Sequence, residues 1–275
     1  MSNSISYQTI HSNQIYLNSS LADVQYNGAS KSNVSFFFKD VLKLKKNTLE
    51  MRVSVINAEF PVSWYVINDS NNSISITVNS VATNYLFPKG NYNVTTFMSQ
   101  WISFFGSSWA LTYDKYQNIF TWSNTNGQFT FSDNKGTNSL FPVIGFIQGN
   151  SYTSSGNTLT AIYPFNFYNI TRLNIKSNTF NLGNVDSNNK SQTRTICSVP
   201  VNATSGGMIY YNNYSHYKSI FKKDHLQNIN IEIQDDFKNY INFNNLDWTI
   251  TLQIDLVNEV VEDLDTLEDI YNNNL

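Results

Sequence analysis

A chain of 275 residues is long enough for one large core or two modest ones, and 15% aromatic against 13% charged residues excludes a disordered chain. The net charge is −3, but Glu259, Glu262, Asp263, Asp265, Glu268 and Asp269 fall within the last eighteen residues, which hold no Lys or Arg. The remaining 14 acidic residues face 17 basic ones, so no basic stripe can track a phosphate backbone and no specific nucleic-acid partner is expected.

Residues 1–30 are polar and read as an N-terminal arm. Strand signals follow at 34–38, 49–56, 64–67 and 73–78. Leu49, Met51, Val53 and Val55 share one face of the second, and Pro61 marks a corner or an edge because it cannot donate to a ladder. Residues 31–79 thus read as the first part of a sandwich. The period then changes. Asn93 caps a helix with Val94, Phe97, Met98, Trp101, Ile102 and Phe105 on one side, and Gly106 ends it. Residues 109–113 and 119–122 form a hairpin, 129–131 adds a strand, and the run from Leu140 to Phe146 closes an inserted α+β domain over 80–150.

Strands resume at 169–175, 193–200 and 208–211, within a second sandwich part over 151–257. Its end is the most regular stretch of the chain. Ile229, Ile231 and Ile233 alternate with polar residues, and Asp235-Asp236 breaks the run. Ile241 and Phe243 form a short second piece, and Asn244-Asn245 makes a turn. Trp248, Ile250, Leu252, Ile254 and Leu256 then alternate without a fault, with Trp248 on the core face and Asp247 outside it. In the acidic tail, 258–275, apolar residues recur from Val257 to Tyr271. They fit either a short amphipathic helix for a basic partner or a frayed, solubilising end.

The run DDFKNYINFNNLDWTITLQI resembles the closing strands of penton proteins, the single jelly-roll minor capsid proteins of virophages and polinton-like viruses. Residues 49–68 resemble an early jelly-roll strand with its proline corner, and 85–146 resemble a small insertion seen in such proteins. The resemblance implies a homopentamer at the vertex of an icosahedral double-stranded DNA virus, seated among hexamers of a double jelly-roll major capsid protein. It also implies an inserted domain that projects and is free to contact a host surface. The location implied is the virion, after synthesis in the host cytoplasm.

No catalytic set emerges. His11, His216 and His225 lack metal-ligand spacing, and Cys197, the lone cysteine, lies inside a strand as a small buried thiol. No nucleophile elbow, phosphate loop or zinc-binding helix occurs, so no catalytic, cofactor-binding or metal residue is expected, and no enzyme. Lys39, Lys43, Lys45 and Lys46 read as a solvated loop. There is no apolar run of membrane-spanning length and no secretory leader. The fold expected is all-β: a single jelly-roll sandwich with a small inserted α+β domain. The function expected is a structural capsid vertex protein. Two alternatives remain: a carbohydrate- or receptor-binding sandwich using Tyr210, Tyr211, Tyr214 and Tyr217, and a non-vertex minor capsid or cement protein.

Overall fold

The computed structural model describes residues 4–43, 50–133, 138–168, 170–180, 184–186, 191–221 and 225–262. The chain forms two compact units, Met1–Ser63 with Thr171–Leu275, and Trp64–Ile170. The first unit opens with β1 (Ser4–Asn18), β2 (Val24–Gln25), β3 (Asn33–Lys43) and β4 (Glu50–Pro61). The second holds β5 (Ser73–Val78), β6 (Val81–Leu86), α1 (Val94–Phe105), β7 (Trp109–Asp114), β8 (Ile119–Asn124), β9 (Phe129–Ser132), α2 (Phe141–Ile144), β10 (Ser151–Thr153) and β11 (Thr158–Thr160). The chain then returns to the first unit through β12 (Arg172–Lys176), β13 (Val185–Asp186), β14 (Ser191–Gln192) and β15 (Thr195–Pro200). It finishes with β16 (Met208–Asn212), β17 (Ser219–Phe221), β18 (His225–Gln234) and β19 (Thr249–Glu262).

Pairing in the first unit follows a single rule. The first long strand pairs with the last (β1 with β19), the second with the second-last (β3 with β18), β4 with β16 and β17, and β12 with β15. This is one long hairpin. It is wound on itself by two further pairings, β19 with β4 and β18 with β12. The products are the sheets β1-β19-β4-β16 and β15-β12-β18-β3-β2, the strand order of a jelly roll.

Alternation sets which face of each sheet is covered. Val34, Phe36, Leu173, Ile175, Ile229, Ile231 and Ile233 of one sheet are buried, as are Met51, Val53, Val55, Ile250, Leu252, Ile254 and Leu256 of the other. On β4 the buried set moves from odd to even positions, from Val55 to Ala58 and Phe60. The register explains it: Thr251 faces Asn57 while Leu252 faces Val55, so Ile56 is a bulge that shifts the phase by one.

The N-terminal segment is not an arm. Ser4–Asn18 is an edge strand paired along almost all of β19, with a bulge between Thr9 and His11 that interrupts its period. Residues 64–67 form a bend in which only Ile67 bridges, to Gly90. Ile241 and Phe243 are buried without being a strand, under turns where Lys238, Asn244 and Asn245 take positive φ. The tail, read from residue 258, continues β19 to Glu262, and the remainder lies outside the described residues.

In the second unit, β5 pairs with β6 and β9, while β8 pairs with β7 and β11. That pairing takes the 73–78 strand, and with it the unit boundary, outside the 80–150 span. Asn93 caps α1 in a reciprocal box with Thr96, and Phe97 and Trp101 are fully buried among Phe87, Phe120, Trp122 and Phe131. Ile102 is 40% exposed, so the apolar stripe is narrower than its spacing predicts. The 140–146 run closes the core as a helical turn. Gly145 at φ +91° ends it, where an added Cβ would lie 2.1 Å from the Tyr163 carbonyl oxygen.

Two carboxylates join β19 to the start of the chain. Asp247 Oδ1 accepts from Lys31 Nζ at 2.7 Å and from Ser19 Oγ at 2.9 Å. Trp248 Nε1 donates to the Lys31 carbonyl at 2.7 Å, and its backbone N–H donates to Ser19 Oγ at 3.0 Å. Asp255, 1% exposed, accepts from Ser12, Gln253 and Lys218. The Lys31 hydrogen bond holds the Asp247 carboxyl below its ordinary value, against an upward push from burial and aided by Ser19 and the Lys31 charge. Burial pushes Asp255 up, but the bonds from Lys218, Ser12 and Gln253 and the Lys218 charge outweigh it, so its value is also lowered.

Trp101→Ala is expected to destabilise the second unit by about 3–5 kcal/mol, against about 1 kcal/mol for the cap variant Asn93→Ala, both read by denaturant titration. Because both carboxylates titrate lower in the folded state, their stabilisation is complete above the unfolded value of 3.8 and is lost as pH falls through the folded values. Asp255→Asn should therefore cost about 2–3 kcal/mol at pH 7 and flatten the loss of stability below pH ~4. An unchanged acid limb in that variant would contradict the assignment.

Candidate functional site

The jelly-roll order leaves the sandwich with two unlike lateral sides. One is bounded by β1 and β2, with Tyr16, Leu21 and Tyr26 exposed. The other is bounded by β15, β16 and β17, with Met208, Tyr210, Tyr214, Tyr217 and Ile220 exposed. Edge strands carry unpaired backbone donors and acceptors, and exposed aromatics beside them mark surfaces that other chains can cover.

The second side holds a cleft of about 760 Å³, within the size range of binding sites. Leu173 and Ile175 point into the core, so Arg172, Asn174 and Lys176 of β12 line up on the opposite face and form one wall. Tyr211, Tyr217 and the edge strand β15 supply others. Tyr217 is held in place: its hydroxyl donates to Asn184 Oδ1 at 2.8 Å, and Asn184 Nδ2 donates to the Thr195 carbonyl and Ser219 Oγ, both at 2.9 Å.

Charges in the cleft are unequally committed. Asp235 Oδ1 accepts from the backbone of Phe237 and Asn239, each at 2.8 Å, and Asp236 accepts from Asn174 Nδ2 at 3.0 Å. Arg172 and Lys176 take part in none of the ion pairs among the described residues. Asp235 is thus engaged in its own turn and Asp236 with Asn174 of β12, and the cleft holds these two carboxylates beside its two cations.

Burial pushes the Cys197 thiol up, with its hydrogen bond to Tyr211 a smaller opposing effect. Burial, then the bond and charge of Cys197, push Tyr211 up as well. At neutral pH the pair is a thiol and a phenol, both uncharged. Cys197 is only partly buried.

The tyrosine-rich run does not form one surface. Tyr211 lines the cleft while Tyr210, its neighbour on the strand, points the other way and is 65% exposed. His216 takes a positive φ in the following turn, and the His11 ring shares a hydrogen bond with Asn13 Oδ1. His225 opens β18 as an exposed residue. Lys39 is exposed, while Lys45 and Lys46 lie outside the described residues. Trp64 is buried and Tyr65 is 41% exposed, so one aromatic of that corner is outside the core. Sequence reasoning missed Arg172, Asn174 and Lys176. Their one signal is alternation with Leu173 and Ile175, which marks a face but not a cleft. Among the described residues no group of three or more His, Cys, Asp or Glu could hold a metal ion, and no helix is long and apolar enough to cross a membrane.

No family model and no curated protein matches the chain. Among solved structures, the chain is similar to the mavirus penton protein, with a TM-score of 0.45 and 13% sequence identity over 88% of this chain and 99% of that one. The jelly-roll assignment rests on the strand order of this chain alone.

Proposed function

We propose that the protein is a structural capsid component that closes into a homopentameric ring and occupies the vertex of an icosahedral shell, among hexamers of a major capsid protein. One observation carries the reading: the jelly roll has two different uncovered sides, each with exposed aromatics. A cyclic ring needs such a pair, because each copy presents one side to the neighbour ahead and the other to the neighbour behind. The resemblance of residues 226–256 to penton closing strands supports the same role. In this reading the first unit sits in the shell, and the second, Trp64–Ile170, is the part free to meet a host surface.

A glycan-binding role for the tyrosine run fits less well. Stacking on a sugar needs aromatic faces on one platform, and Tyr210 and Tyr211 face opposite ways. The test is the solution mass of the full chain by light scattering after size exclusion, at several salt concentrations. Five copies of the 31.5 kDa chain is the expected result. A monomer or trimer at every concentration, in buffers where the fold is intact, would sink the ring.

A further inference from the structure

We propose that Asn126, in the turn between β8 and β9, is a site of self-modification: it deamidates in the folded protein, with water as the reagent, while Asn27 is protected. The inference goes beyond the capsid reading and does not rest on it. The chain holds two Asn-Gly pairs, Asn27-Gly28 and Asn126-Gly127. Glycine carries no Cβ, so its backbone nitrogen can approach the preceding side chain more closely than that of any other residue.

The fold treats the two pairs differently. The Asn27 side chain is held at both ends: Nδ2 donates to Ser32 Oγ at 2.7 Å, and Oδ1 accepts from the Asn33 N–H at 3.2 Å. Asn126 is exposed, and among the described residues only its backbone is tied, through its N–H to Asn124 Oδ1 at 2.8 Å. Its side-chain amide is left to turn towards Gly127. The Gly127 N–H reaches the Asn124 carbonyl at 3.2 Å, a single bond in an exposed turn that local opening releases. Space is open there, since a Cβ added at Gly127 would meet nothing within 4 Å beyond its chain neighbours.

The Gly127 nitrogen attacks Cγ of Asn126. A Cγ–N bond forms, the Cγ–Nδ2 bond breaks, and the amide proton leaves with Nδ2 as ammonia. Water then opens the cyclic imide. Cleavage at Cγ gives aspartate, and cleavage at the main-chain carbonyl carbon gives isoaspartate, with the backbone rerouted through the side chain. Either product adds a negative charge to an exposed turn of the second unit.

Ageing the full-length protein at neutral pH, then digesting it in mild acid for mass spectrometry, tests the site. The peptide carrying Asn126 is expected to gain the mass of an amide-to-acid exchange, with its isoaspartate fraction labelled by an isoaspartyl methyltransferase. Asn27 should change at least about tenfold more slowly, because two hydrogen bonds, each worth roughly a factor of five, must open first. Ser32→Ala should narrow that gap, and ageing in urea, with the chain unfolded, should close it. An unmodified Asn126 overturns the proposal, as does an Asn27 that changes equally fast in the folded protein or a gap that persists in urea.

Discussion

The jelly roll depends on joining the two ends of its hairpin, and that junction is made at Ser19, Lys31, Asp247 and Trp248. The Trp248 indole is buried against Phe36 of one sheet and Phe60 of the other, while its N–H is answered by the Lys31 carbonyl. A buried indole donor without a partner would be costly, so the ring and the turn at Lys31 hold each other. Asp247, one residue earlier, draws the Lys31 side chain and Ser19 to the same point. Once this corner is set, the register of β1 on β19 is set too, and Asp255 repeats the Asp247 device eight residues further along through Ser12.

Lys31 itself takes a left-handed conformation at φ 52°, which L-residues adopt at a cost. Three bonds at its carbonyl, its ammonium group and its amide offset that cost: the amide closes the short turn at Gly28. The pairings joined at this corner span almost the whole chain, from Ser4 against Glu262 inward. The topology has high contact order, and forming it requires both termini to be present before the edge strands are covered.

The same winding produces the lateral sides. A hairpin wound into two sheets brings its outermost strands to one side and its innermost pairs to the other, so β15 and β16 become edges wherever their side chains point. The cleft follows from this. It lies where two sheet edges meet, with the Tyr217 ring held by Asn184 and the β12 face exposed beyond β15. Cys197, its one thiol, is kept uncharged beside Tyr211.

Period and turn chemistry alone determined much of the fold. The alternation from Trp248 to Leu256, the core face of β18, the cap at Asn93 and the turn at Asn244-Asn245 are local events, each dictated by side chains within a few residues. Bulges hid the rest. The break at Thr9 and His11 removed the period that would mark β1, and Ile56 split the buried set of β4. Which sheet Ser73–Val78 joins was also undecided locally, because a strand's pattern names its buried face and not its partner. Only the tertiary structure placed Lys31 beside Asp247 and opened the cleft at Arg172 and Lys176. Both are contacts between segments far apart in the chain, and spacing along a sequence carries no information about such contacts.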